Sequence, residues 1–405
     1  MLAILTTHPI QYQVPLWRAL AKEAQIPFEV WYLSDHATRP SFDSEFKQTF
    51  AWDVDMLKGY PSRFLKTNSN HDVARFSKLR LAESLRERLK SQKVKALWIQ
   101  GWQVAAYWQA VWQANSVGVP VWLRGESNDL APVPAWKKPI KKLALKKLFS
   151  KVSKFLYIGE ANHRFYKNFG VPDEQLSPAY YCVDNEWFKQ RAEELRPQRD
   201  EIRRDWQIPE DSFCVLFAGK FIPKKRPLDV VKAVSQLKKA NPSEPAHILF
   251  VGSGELGNAI RSECKIVYDA ECSSKGLDLK SVNGEPAASF TGFLNQSEIC
   301  KAYVAADCLV LPSDYGETWG LVVNEAMAAD LPCITSDACG CAEDLVATVD
   351  TNLRCSLGDI ASLSKALQRV SQNPPSQSLI RTQVDRFRIG VSTETVTALY
   401  DSLQS

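Results

Sequence analysis

The pattern that most restricts this chain is an alternation of strand and helix that runs, breaks and starts again. Apolar runs at Leu2-Ala-Ile-Leu-Thr, Phe28-Glu-Val-Trp-Tyr-Leu, Ala96-Leu-Trp-Ile, Val119-Pro-Val-Trp-Leu, Phe155-Leu-Tyr-Ile and Leu176-Ser-Pro read as strands. Leu16–Ala21, Val73–Lys93 and Trp102–Asn115 read as helices between them. Strands joined by helices make βαβ units and a parallel sheet. Near residues 187–212 the pattern gives way to a charged, proline-bearing stretch, Gln190 to Asp205, which predicts a linker with a surface helix. The alternation then restarts at Cys214-Val-Leu-Phe-Ala-Gly, Ala246-His-Ile-Leu-Phe-Val, Ser289-Phe-Thr-Gly-Phe, Cys308-Leu-Val-Leu and Leu331-Pro-Cys-Ile-Thr-Ser. The fold class is therefore α/β, two doubly wound Rossmann-like domains facing a cleft. Ligands of such sheets sit at the carboxyl ends of the strands. The expected boundaries are 1–188, a linker at 189–212, a second domain at 213–388, and a terminal segment at 389–405. Residues Cys264 to Ala288 are long for a connection and read as a surface excursion.

Composition removes several classes of function. The chain has 405 residues, 45% hydrophobic and 24% charged, which suits a globular protein rather than a disordered or fibrous one. Fifty basic and forty-six acidic side chains give a net charge of +4, too mild to imply nucleic acid as a partner. No run of 18 apolar residues suggests a membrane span, and Met1-Leu-Ala-Ile-Leu lacks a secretory pattern, so a cytoplasmic location is expected. The ten cysteines are scattered through apolar segments and read as buried reduced thiols. Cys339-Gly-Cys341 has no second pair nearby, and Asp53-Val-Asp55 lies far from the segment that carries chemistry, so no metal site is expected.

That segment is Leu309-Val-Leu-Pro-Ser-Asp-Tyr-Gly-Glu-Thr-Trp-Gly-Leu-Val-Val-Asn-Glu-Ala-Met-Ala. A strand ends at Pro312, a polar loop follows, and a helix starts near Trp319 or Gly320. Gly320 admits close backbone approach, and the first helical turn offers free N–H groups and the dipole to an anion. Glu317 precedes the helix, and Glu325 lies about 7.5 Å along its axis. One carboxylate can touch a group beyond a phosphate and the other a group beside it. The alternative is two surface glutamates near a helix start.

The spacing Glu317-x7-Glu325 resembles the E-x7-E signature of retaining GT-B glycosyltransferases of family 4. Phe217-Ala-Gly-Lys-Phe-Ile-Pro-Lys-Lys-Arg-Pro is similar to that family's G-[RK]-x4-K segment, with Gly219, Lys220 and Lys225 in register. Val251-Gly-Ser-Gly, Thr291-Gly-Phe-Leu and Gly340-Cys-Ala-Glu-Asp-Leu-Val resemble further family turns, in the family's order. The resemblance implies a nucleoside-diphosphate sugar as donor, UDP- or GDP-linked, and no separate cofactor or metal. It places Glu317 against the sugar, Glu325 on the ribose, and Gly320 and Leu321 at the phosphates, with Gly316, Thr318 and Trp319 also in the donor site. Lys220 and Lys225 would neutralise the leaving group. Gly252 and Phe293 would border the nucleotide. It further implies front-face transfer with retention, the leaving phosphate taking the acceptor proton, and a final helix, Thr393 to Leu403, that crosses back to the first domain.

The first half departs from the family. Thr6-Thr-His-Pro-Ile-Gln replaces the usual glycine-rich turn, which makes His8 and Gln11 candidates for contact with donor or acceptor. No histidine follows the strand at 119–123. Arg124 and Glu126 stand there instead, either as ligand contacts or as a buried ion pair. Among twelve tryptophans, Trp102 and Trp136 are the candidates for stacking on acceptor sugars. Eight lysines in residues 137–154, with apolar residues at helical spacing, make a basic amphipathic helix. It can lie on an anionic membrane surface or pack its apolar side on the sheet. The expected acceptor is a glycan or lipid-linked hydroxyl in surface polysaccharide or glycolipid synthesis, at the inner face of the membrane. A GT-B nucleotide-sugar epimerase and a non-catalytic sugar-nucleotide or glycan-binding protein remain as alternatives.

Overall fold

A computed structural model describes all residues except 25, 37, 39–40, 44–47, 51–52, 69–78, 133–137, 275–284 and 404–405. The chain divides into two compact units, Met1–Ser41 with Val54–Cys182 and Arg388–Ser405, and Phe42–Asp53 with Val183–Phe387.

The first unit contains β1 Leu2–Thr6, β2 Phe28–Tyr32, β5 Ser62–Phe64, β6 Ala96–Ile99, β7 Val121–Leu123, β8 Lys154–Tyr157 and β9 Leu176–Pro178. A two-stranded pairing of β3 Ser41–Asp43 with β4 Gln48–Phe50 stands apart from the sheets. The sheet order is β5-β2-β1-β6-β7-β8-β9, with every pairing parallel. Its helices are α1 Val14–Ala19, α2 Leu85–Ser91, α3 Ala105–Ser116, α4 Lys138–Phe149 and α5 Glu160–Asn168. Strands covered on both faces must be apolar throughout rather than alternating. β1, Leu-Ala-Ile-Leu-Thr, is accordingly buried along its whole length.

The second unit contains β10 Phe213–Ala218, β11 Ala246–Val251, β12 Lys265–Asp269, β13 Ala287–Gly292, β14 Cys308–Leu311, β15 Cys333–Ser336 and β16 Arg354–Cys355. Their order is β12-β13-β11-β10-β14-β15-β16, again all parallel. The helices are α6 Asn185–Leu195, α7 Arg199–Asp205, α8 Pro227–Ala240, α9 Gly257–Ser262, α10 Ala270–Ser274, α11 Gln296–Ala305, α12 Leu321–Ala328, α13 Ile360–Gln372 and α14 Gln377–Asp385. The last helix, α15 Ile389–Asp401, belongs to the first unit, where it packs on α1.

In each sheet the strand order reverses beside the first strand, between β1 and β6 and between β10 and β14. Crevices at the carboxyl ends of open α/β sheets form at such switch points.

Several expectations change. The helix expected at Val73–Lys93 is Leu85–Ser91; Thr67 and Leu81 form an antiparallel bridge, and residues 73–78 lie outside the described residues. The expected excursion at 264–288 contributes an edge strand, β12, paired to β13. The expected linker at 189–212 is helical and built into the second unit. Arg199 and Arg203 both bind Asp307, at 2.6 and 2.8 Å, which ties α7 to the start of β14. All ten cysteines are free thiols, nine of them buried, as the apolar context predicts.

Candidate functional site

The two loops that carry the motif residues leave the second sheet from its switch-point strands. β10 ends at Ala218, and the chain turns through Gly219 at φ 152° into Lys220. A short helical turn, Pro223–Lys225, then meets Arg226 in the left-handed region at φ 53°, and α8 begins at Pro227. β14 ends at Leu311, and the loop 312–320 leads into α12 through Gly320 at φ 106°. A side chain at Gly320 would be strained by that φ and would meet Leu311 Cδ2 at 2.6 Å.

Across the switch point the Lys225 ammonium is paired with the Glu317 carboxylate. Both side chains are mostly covered, at 18% and 15% exposure. The backbone joins the loops as well, with Asp314 N donating to Lys224 O at 2.8 Å. An Asx turn, Gly316 N to Asp314 Oδ1 at 2.8 Å, aims Glu317 back toward the lysine. A third strand end braces the loop from behind. Gly340 N donates to Glu317 O at 3.1 Å and Cys341 N to Trp319 O at 3.0 Å. A Cβ on Gly340 would sit 1.8 Å from Thr318 O, so only glycine lets the two loops close.

Trp319, expected at the donor, is buried with 2% exposure. Its indole N–H donates to Asn324 Oδ1 at 2.8 Å and its ring packs against Phe387, so its side chain anchors the loop and only its backbone faces the corner. Gly252 likewise serves backbone packing, since a Cβ there would lie 2.0 Å from Gly219 O. Gly316 and Thr318 flank Glu317 in the loop, Lys220 and Phe293 are half-buried beyond β10 and β13, and Leu321 opens the first turn of α12.

Glu325 is the fifth residue of α12, half-buried, and accepts a hydrogen bond from Tyr303 Oη at 2.6 Å. Burial raises its pKa to about 7, against a lowering by the tyrosine hydrogen bond. Tyr303 carried no sequence signal, because it sits among apolar residues of α11 that read simply as core.

The first sheet's carboxyl edge has its own polar cluster. His8 follows β1, with Nδ1 3.0 Å from Thr7 Oγ1 and its ring edge-on to His36. Burial, then His36, lowers its pKa to about 4, so it is neutral at pH 7. Gln11 lies half-buried in the turn before α1. Arg124, 4% exposed, donates through Nη2 to Tyr180 O at 3.0 Å and lies 4.8 Å over the Tyr181 ring. Burial lowers its pKa. The Tyr181 hydroxyl donates to the Glu126 carboxylate, whose charge also acts on the Arg124 guanidinium; Arg124 is buried and Glu126 exposed. Tyr181 was missed because two consecutive tyrosines after a short strand carry no spacing pattern. Trp102 packs half-buried on Phe149 and Phe165, with its ring over Gly125, which places it with the core. Trp136 lies outside the described residues.

Asp53 Oδ2 accepts from Ser297 N at 2.9 Å, at the start of α11, and Asp55 Oδ1 from Leu57 N. Among the described residues no group of three or more His, Cys, Asp and Glu is placed to hold a metal ion. α4 buries Leu145, Leu148 and Phe149 while Lys142, Lys146 and Lys147 are exposed; Leu143 is 73% exposed among them. No helix among the described residues is long and apolar enough to cross a membrane.

Residues 198–384 match the family model for glycosyl transferases group 1. The match covers the Lys225–Glu317 corner and α12. A D-inositol 3-phosphate glycosyltransferase of Nocardioides sp. is 30% identical over 181 residues, 44% of this chain and 38% of that protein. A glycogen synthase of Mycobacterium tuberculosis is 38% identical over 160 residues, 40% of this chain and 34% of that protein. The chain spans less than half the length of these curated relatives. Over the whole length the likeness is one of fold. A Rickettsia africae glycosyltransferase superposes with a TM-score of 0.68 at 13% identity, covering 100% of this chain and 98% of that one. An Anabaena protein solved with UDP and glucose superposes at 0.62 with 14% identity, covering 99% of each chain. The fold is thus GT-B, two Rossmann-like domains.

Proposed function

We propose that this chain is a retaining glycosyltransferase of the family 4 kind that uses a nucleoside-diphosphate sugar. One observation carries the reading: a lysine and a glutamate from two switch-point loops meet beside an open helix N-terminus, inside the segment that matches the group 1 model. The chemistry follows from the parts. The first-turn N–H groups of α12 take a diphosphate. Lys225 and Lys220 add point charge where the leaving group gathers it. Glu317, fixed by Lys225, presents its remaining lone pairs to sugar hydroxyls. Glu325 accepts from the ribose hydroxyls.

The bond between the anomeric carbon and the diphosphate oxygen breaks through an oxocarbenium-like state. The acceptor oxygen bonds to the same face of that carbon, and its proton passes to the departing phosphate oxygen. His8, Gln11, Arg124 and Glu126 would serve the acceptor, a glycan or lipid-linked hydroxyl of a surface polysaccharide or glycolipid. The lysine face of α4, with Leu143 at its centre, would hold the protein to an anionic inner membrane surface.

Incubation with UDP- and GDP-sugars followed by phosphorus NMR tests the assignment. Release of nucleoside diphosphate by the wild type, lost in Glu317→Ala, is the expected result. Full turnover in that variant would remove Glu317 from the site. Formation of an epimeric nucleotide-sugar would instead support the epimerase alternative.

A further inference from the structure

The second unit has a cavity of about 410 Å³ away from the donor corner. Its lining includes Phe213 at the start of β10, Asp307 just before β14 and Pro332 just before β15. It therefore opens at the amino edge of the sheet, the opposite edge from Glu317 and Lys225. Its volume lies in the range of small-molecule sites, about 300–1,000 Å³.

The chemistry of the lining is lopsided. Two carboxylates there each accept three hydrogen bonds. Asp307 accepts from Arg199, from Arg203 at 2.8 Å and from Cys214 N at 2.8 Å. Asp330 accepts from Arg196 and doubly from Arg381, at 2.5 and 2.6 Å. Four guanidinium groups thus answer to two aspartates, and Glu193, 3.7 Å from Arg381, is the third carboxylate in contact with them. The two arginines that line the cavity spend one nitrogen each. Arg196 donates through Nη2 to Ala329 O and Asp330, and Arg199 through Nη2 to Asp307 and Ala306 O. Their side chains keep 35% and 30% of their surface. The cavity offers N–H donors and, with four guanidinium groups to three carboxylates, positive charge; both of its aspartates are already engaged by arginine. Val370, Pro374 and Pro375 add apolar surface to the lining.

We propose that this cavity binds a small organic anion, a phosphate monoester carrying a ring. The phosphate would take the open N–H groups of Arg196 and Arg199, and the ring would lie on the proline wall. The site is joined to the donor corner by two rigid parts. Tyr303 lines the cavity and holds Glu325 through its hydroxyl. α12 runs from Leu321 to Ala328 and leads into Ala329 and Asp330, which form part of the cavity wall about 12 Å from its start. Arg196 grips that end directly, at Ala329 O, 3.1 Å. A phosphate that draws Arg196 toward itself pulls on the helix whose other end is proposed to hold the diphosphate.

Calorimetric titration of the whole chain with phenyl phosphate tests the site. Saturable one-to-one binding is expected, weaker for inorganic phosphate and absent for phenol. Arg199→Met should weaken phenyl phosphate about tenfold, with Arg203 left to hold Asp307. Ser371→Trp, which puts bulk into the cavity from a lining residue whose hydroxyl bonds only Gln368 O, should abolish it. No saturable heat up to 10 mM probe would overturn the site (about 2.7 kcal/mol of binding or less). Unchanged affinity in Ser371→Trp would overturn it too, by placing the probe elsewhere. The link to the donor corner rests on the proposed function and is read separately, as a shift in UDP affinity when phenyl phosphate saturates. An unshifted UDP affinity overturns the link, whereas failure of UDP to bind at all counts against the proposed function and leaves the cavity result standing.

Discussion

Glu325 carries opposing demands in one side chain. Half-burial favours its neutral acid, while a ribose diol is held best by its carboxylate. The raised pKa, to about 7, means that the folded chain holds a proton that the unfolded chain releases near the ordinary carboxylate range. Folding stability from this group is therefore full at low pH and falls as pH rises through 7, by at most about 1.4 kcal/mol per pH unit. Glu325→Gln removes the titration. Chemical denaturation at pH 5 and pH 8 should show a smaller loss in the variant than in the wild type. An equal loss would mean that Glu325 titrates normally. UDP affinity should run the other way, strengthening from pH 6 to pH 8 in the wild type and staying flat in the variant. Lys225 is simpler. Lys225→Met should cost about 10²–10³ in turnover, the range for removing one fixed charge from a developing anion. Both glutamates were legible in the sequence because one short segment holds them. The Lys225–Glu317 pair was not, since 92 residues separate its partners and only the adjacency of β10 and β14 joins them.

At the scale of elements, the donor corner is three strand ends fastened by backbone. Gly340 is the pin, because its N–H holds Glu317 O and its missing side chain lets Thr318 O approach. Gly340→Ala forces the loop outward. Overpacking of this kind costs about 1–3 kcal/mol, and melting should fall by several degrees, about 2–4 °C per kcal/mol for a domain of this size. UDP affinity should drop with it, since Glu317 moves with the loop. A variant that melts lower but keeps its UDP affinity would show that the turn supports the fold alone. The sequence marked Gly340-Cys341 as a turn, but which loop it braces depends on β15 lying beside β14. Strand positions were easier to read than helix positions for a related reason. Fully buried parallel strands are unbroken apolar runs, whereas α2 and its approach mix polar and apolar residues. The expected helix there was therefore too long.

For the molecule as a whole, the chain path makes the first unit depend on its last helix. The path leaves that unit after Cys182, builds the second unit, and returns at Arg388. α15 packs against α1 and β9, burying Val396 and Tyr400, and Ser392 Oγ donates to Tyr180 O at 3.2 Å. The terminal helix and its return to the first unit were expected through the family resemblance. Removing Arg388–Ser405 uncovers those apolar contacts, and burial of two such side chains is worth about 3–6 kcal/mol. The loss falls on one unit, because the second sheet with α6–α14 keeps all of its own strands. Limited proteolysis of the truncated chain should therefore cut within residues 1–182 while a fragment spanning about 183–387 survives. Uniform digestion of both units would mean that the second unit cannot stand without the first. Intact resistance of both would mean that α15 adds little to the first unit's core.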